Sequence, residues 1–171
     1  ANNCGRFLTS TDTLAILYNS LKIKIDIGSD QSICDNGNFP ILYLDTTGII
    51  TYQWYFNSIA IPGATNATFQ TTQAGLYGVH VTSGGCAGDT AMTLTVIQSP
   101  IVNLSDISIC DYDSIPTLSA SSAVNGLVQW LNNGIAISGA TSTTFCPMSS
   151  GIYSVEVTIP PGCIGSDTMT L

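Results

Sequence analysis

The chain repeats itself. Cys34 recurs as Cys110, Pro40 as Pro116, Trp54 as Trp130, Gly63 as Gly139, Gly75 as Gly151 and Tyr77 as Tyr153, each pair 76 positions apart. Cys86 recurs as Cys163, 77 positions on, after a one-residue insertion. Both copies read S-I-C-D, Q-W, I-A-I-x-G-A-T-x-x-T-F, G-x-Y-x-V-x-V-T, G-C and D-T in the same order. A unit recurring at a fixed period folds as one module set in series with its neighbours.

The repeat also gives the first residues a place. Asn3-Cys4 and Asp12-Thr13-Leu14 resemble Gly85-Cys86 and Asp89-Thr90-Ala91, and Asp12, Asp89 and Asp167 are spaced 77 and 78 apart. Residues 1–20 therefore read as the C-terminal tail of a preceding repeat or as an exchanged strand. Residues 21–98 form one repeat and residues 99–171 another.

Within each repeat the pattern predicts strands only. Lys22-Ile23-Lys24-Ile25-Asp26-Ile27 alternates with period two, isoleucine on one face and polar residues on the other. Further strands are predicted at Ile41–Leu44, Thr51–Tyr55, Ala67–Phe69, Leu76–Val81 and Ala91–Val96. Asn57-Ser58 and Asn133-Gly134 are short hairpin turns, Asn-Gly being the strongest such signal. Roughly seven short strands per repeat, with turn signals every 8–12 residues, predict an all-β fold of tandem immunoglobulin-like Greek-key β-sandwiches.

Trp54 and Trp130, mid-strand among alternating apolar residues, are expected in the sandwich cores rather than stacked on sugars, since a ring that bridges two sheets buries about 150–250 Å². Tyr77 and Tyr153, each two residues after a glycine, resemble the tyrosine corner that opens strand F.

Six cysteines without C-x-x-C spacing point to disulfides in an oxidising, extracellular setting. In antibody domains the second cysteine lies within strand F. Here Val79 and Val155 hold that place, and Cys86 and Cys163 come later. The expected pairs are Cys34–Cys86 and Cys110–Cys163, each stapling one end of its own sandwich. Loops of that size would stabilise each domain by roughly 4 kcal/mol on the chain-entropy model. Cys4 and Cys146 remain, unpaired or joined across repeats, or with Cys146 free and buried.

Composition narrows the function. The three basic residues face 11 acidic ones for a net charge of −8, which repels nucleic acid and anionic membranes. No apolar run approaches the ~20 residues of a membrane helix, and no membrane insertion is expected. The lone histidine, His80, has Glu156 at its repeat position, and no G-x-S-x-G elbow occurs. No catalytic residue and no cofactor are expected. Asp35, Asn36, Asn38, Asp111 and Asp113 could offer oxygens to calcium, though Asx-rich turns account for them equally.

The unit W-x-x-N-x-x-x-I-x-G-A-T-x-x-T-F…G-x-Y-x-V-x-V-T…G-C…D-T, from Trp54 to Thr90 and from Trp130 to Thr168, is similar to the PKD/immunoglobulin-like repeats of very large secreted surface proteins in Bacteroidota. Such repeats occur in adhesins, in gliding-motility filaments and beside enzymes exported by the type IX system. The resemblance implies O-glycosylation at Asp-Ser/Thr triplets, here Thr13, Thr46, Thr90, Ser114 and Thr168. It implies a non-catalytic structural repeat of an extracellular surface fibre or adhesin, whose partners are neighbouring repeats or copies of itself, and surface glycans. The alternatives are a filament subunit joined by strand addition through Thr13 to Leu21, and a glycan-binding accessory module of a secreted enzyme.

Overall fold

A computed structural model describes residues 8–10, 13–18, 21–44, 50–83, 86–109, 114–120 and 126–171. Every regular element among them is a strand. The chain separates into two compact units, Ala1–Ile33 with Gly37–Val96, and Cys34–Asn36 with Ile97–Leu171.

The first unit opens with β1 (Leu8–Ser10), β2 (Thr13–Tyr18) and β3 (Leu21–Ile25), an antiparallel meander. β2 is bonded on both edges, to β1 through Thr9↔Leu14 and to β3 through Ile16↔Ile23. The segment expected to add to a neighbouring molecule therefore already has both its strand partners within the chain.

The sandwich follows. Its strands are β4 (Gln31–Cys34), β5 (Ile41–Tyr43), β6 (Thr51–Phe56), β7 (Ile59–Ala60), β8 (Thr68–Gln70), β9 (Gly75–Ser83) and β10 (Cys86–Ile97). One sheet runs β4-β10-β9-β6-β7 and the other pairs β5 with β8. Strand β9 shows why the sequence folds this way. Tyr77, Val79 and Val81 are 1% exposed, while the residues between them point outward, so the period-two pattern puts one whole face into the core. Trp54, Met92, Leu94, Leu42, Ile25 and Ile27 complete that core.

The second unit repeats the plan with β11 (Leu118–Ser119), β12 (Leu127–Asn132), β13 (Ile135–Ala136), β14 (Thr144–Phe145), β15 (Ile152–Ile159) and β16 (Cys163–Thr170). Its sheets are β13-β12-β15-β16 and β11-β14. Trp130, Tyr153, Val155, Val157, Leu118 and Met169 are buried at the repeat positions of Trp54, Tyr77, Val79, Val81, Leu42 and Met92. The polar fittings recur as well. The indole N–H of Trp54 donates to the Asn66 carbonyl at 2.9 Å, and that of Trp130 to the Ser142 carbonyl at 2.9 Å. The Tyr77 hydroxyl donates to the Gln73 carbonyl at 2.9 Å, and the Tyr153 hydroxyl to the Ser149 carbonyl at 3.0 Å. A buried indole or phenol left without such a partner would destabilise the fold, so each ring comes with its own acceptor.

The β6–β7 and β12–β13 hairpins turn on two residues in the left-handed region: Asn57 (φ 47°) and Ser58 (φ 67°), then Asn133 (φ 49°) and Gly134 (φ 78°). Only glycine adopts that conformation without a Cβ penalty, which is about 1 kcal/mol or more elsewhere. Ser58→Gly, which copies the second repeat, is therefore expected to raise the melting midpoint of the first unit by roughly 4 °C or more. Calorimetry on the variant checks this, and an unchanged or lower midpoint would contradict the turn assignment.

Candidate functional site

The cysteines depart from expectation. Cys34 is bonded to Cys163, with their Cα atoms 5.3 Å apart, in place of the expected Cys34–Cys86 and Cys110–Cys163 bonds. The reason lies in the direction of β4. The Asp30 carboxylate accepts the Thr93 amide at 2.6 Å, and the Asp35 amide donates to the Ile97 carbonyl at 2.9 Å. Both contacts advance together, so β4 runs in the same direction as β10, and Cys34 ends beside Ile97. Cys86 begins β10 and Ile97 ends it. At about 3.3 Å per residue those ends lie roughly 36 Å apart, against about 7 Å for the widest disulfide.

The junction around Cys34 lies in the second unit. Cys163 opens β16, is 1% exposed, and its Sγ lies 3.9 Å from the same Ile97 carbonyl. The Asp35 carboxylate accepts the Ser99 hydroxyl at 2.5 Å, the Ser99 amide at 3.1 Å and the Gln98 side-chain amide at 2.5 Å. Pro100 lies directly over Gly165, where a side chain would have no room. Two sulfurs, one carboxylate and a tetrapeptide thus converge on one end of β16. On the chain-entropy model a closed loop of sequence separation 129 stabilises by about 5 kcal/mol.

The remaining candidate residues are dispersed. Cys146 is a free thiol, exposed rather than buried, 3.3 Å from the Thr117 hydroxyl. Cys4, Cys110, Asp111, Asp113 and Thr46 lie outside the described residues, and the side chains of Cys86 and Thr13 do as well. Asp35 is held by Ser99 and Gln98, while Asn36 and Asn38 are exposed in the turn after it. No group of three or more His, Cys, Asp or Glu side chains capable of holding a metal occurs among the described residues. Ser114 and Thr168 are exposed, and Thr90 lines an open groove of about 550 Å³ with Tyr55, Leu76 and Asp89. His80 Nδ1 lies 2.7 Å from Asp89 Oδ1, an exposed pair opposite each other on β9 and β10. No helix among the described residues is long and apolar enough to cross a membrane.

Asp30 and its counterpart Asp106 went unremarked in the sequence. Asp106 accepts the Thr170 amide at 2.8 Å just as Asp30 accepts that of Thr93. The signal was present as D-x-S-I-C-D in both copies. Asp167 holds the same region from the other side, accepting the Leu104 amide at 2.6 Å and the Thr168 amide at 2.8 Å.

The Leu104 amide, followed by that of Thr168, holds the Asp167 carboxyl below its ordinary 3.8. The Ser99 hydroxyl, foremost, does the same for Asp35. A carboxylate with a lower pKa folded than unfolded adds stability above the unfolded value and loses it as pH falls through the folded one. The second unit is therefore expected to weaken below pH about 4, and Asp167→Asn to flatten part of that decline. Thermal melts across the acid range check it; wild type and variant falling in parallel would refute the assignment.

These two units, each with a β-sandwich core, a buried strand tryptophan and a tyrosine corner, make the fold all-β with tandem immunoglobulin-like domains. Solved structures agree. Extracellular domains 3–5 of Drosophila OTK match with a TM-score of 0.55 at 12% identity, over 93% of this chain and 69% of that one. A three-domain titin structure, I67–I69 in an E-to-A variant, matches with a TM-score of 0.50 at 16% identity, over 84% of this chain. The chain spans 62% of the length of the titin I67–I69 fragments it matches. No protein-family model matches the chain, and no curated protein sequence does.

Proposed function

We propose that the chain is a non-catalytic structural repeat of an extracellular surface fibre or adhesin, built in series with neighbouring repeats. The observation that carries this reading is the Cys34–Cys163 bond between the first cysteine of one sequence repeat and the last cysteine of the next. A bond of that kind persists in oxidising compartments and suits a protein whose repeats work as a series rather than singly. The neighbours support it in kind, since OTK is represented by its extracellular domains and titin by a run of Ig domains. The sequence resemblance to surface repeats of Bacteroidota points the same way, and the exposed Ser114 and Thr168 are the glycan acceptors it implies.

Antibodies raised against the two repeats are expected to label intact, unpermeabilised cells that produce the protein. External protease is expected to remove the label. Label found only after permeabilisation would overturn the reading.

A further inference from the structure

The Cys34–Cys163 bond closes a loop of sequence separation 129 in a chain of 171 residues. Strands β5 to β15 lie inside it, and with them Trp54, Tyr77, Trp130 and Tyr153. Only the segments before Cys34 and after Cys163 lie outside. Connectivity alone then decides how a pull along the chain is carried. Tension entering ahead of Cys34 reaches its sulfur, crosses to Cys163 and leaves through β16. The residues between the two cysteines are not in the path.

We propose that this disulfide is a covalent bypass for tension, which keeps β5 to β15, with Trp54, Tyr77, Trp130 and Tyr153, off the load path when the chain is pulled from its ends. Without the bond, a pulled sandwich opens at a rate set by its unfolding barrier. With it, β5 to β15 cannot be drawn out until the S–S bond is cleaved, and extension is confined to the short outer segments. The surroundings protect the bond. Cys163 is buried, and Cys34 is half-buried beside an Asp35 pinned to Ile97, Gln98 and Ser99. Thiol exchange requires a thiolate to reach one of the two sulfurs, and burial limits that access. The load path follows from chain connectivity, while the biological source of the load rests on the fibre reading.

Single-molecule pulling on the full chain, held at its two ends, tests the proposal. A dithiol supplies the reduction: the bond takes up two electrons and two protons to give two thiols, and the dithiol closes to its own disulfide. At about 3.5 Å per extended residue, the reduced chain is expected to release about 450 Å of contour length that the oxidised chain withholds. The oxidised double variant Cys34→Ser, Cys163→Ser is expected to release it without dithiol. Wild type with and without dithiol carries the test if that variant fails to fold. Cys146→Ser in every sample keeps the free thiol from exchanging. Equal release before and after reduction would overturn the bypass, as would a non-reduced chymotryptic map that joins Cys34 to any cysteine but Cys163. Failure of surface labelling with the bypass intact would remove the fibre reading alone.

Discussion

Trp54→Ala is expected to unfold the first unit while the second still melts cooperatively. Trp54 is fully buried, its ring 5.5 Å from that of Phe69, and Phe69 in turn packs 5.8 Å from Tyr77. Its indole N–H also ties the strand to the Asn66 carbonyl. Truncation removes the largest side chain in the core, leaves a cavity and orphans that carbonyl. Changes of this kind cost about 3–5 kcal/mol, and single cores of this size rarely supply more than about that. The measurement is direct, because the chain has two tryptophans, one in each unit. In the variant all indole fluorescence comes from Trp130, which is expected to keep a sharp transition, while the near-ultraviolet dichroism of the first unit's tyrosines is lost. A variant that melts in two transitions near their original midpoints would show that the ring does not organise the first core.

Gly165→Ala is the second large effect, and it falls on the junction. A Cβ at position 165 would stand 1.7 Å from the Pro100 carbonyl oxygen and 2.7 Å from its carbon. Both atoms are backbone, so no side chain can swing aside to make room. Position 165 lies on the same face of β16 as the buried Cys163 and Met169. One methyl group therefore pushes the 97–100 segment off the strand that carries Cys163. Overpacking costs about 1–3 kcal/mol where neighbours can yield, and the upper end or more is expected here. The second unit's midpoint should fall by about 10 °C or more, and the oxidised protein should show more free thiol than wild type. An unchanged midpoint and thiol count would mean that Pro100 does not lie over β16.

How far the sequence could be read depended on the range of the interaction. The cores were legible because burial in a strand follows a two-residue period: Tyr77, Val79 and Val81 announce their face without reference to anything distant. The hairpins were legible because a left-handed turn needs particular residues at adjacent positions, as at Asn133-Gly134. The junction was not. The expectation of Cys34–Cys86 assumed that both cysteines lie at one end of a sandwich. That depends on whether β4 runs with or against β10, and no local pattern states it. Asp30 and Asp106 were missed for the same cause, since each meets an amide more than sixty positions away. Of the alternatives for Cys146, the free thiol holds, but its side chain is exposed and not buried.

The repeat with which the sequence opened determined two sandwiches of one plan, their tryptophan and tyrosine anchors, and their turns. Each of these is specified by residues close enough along the chain to share a strand or a loop. Tertiary structure alone decided that Cys34 answers to Cys163 and that the chain is closed across its repeats instead of within them. The physical reason is distance. Strand direction sends the cysteines of the first repeat to opposite ends of β10, and only the folded backbone brings Cys34 to within 5.3 Å of a partner in the next.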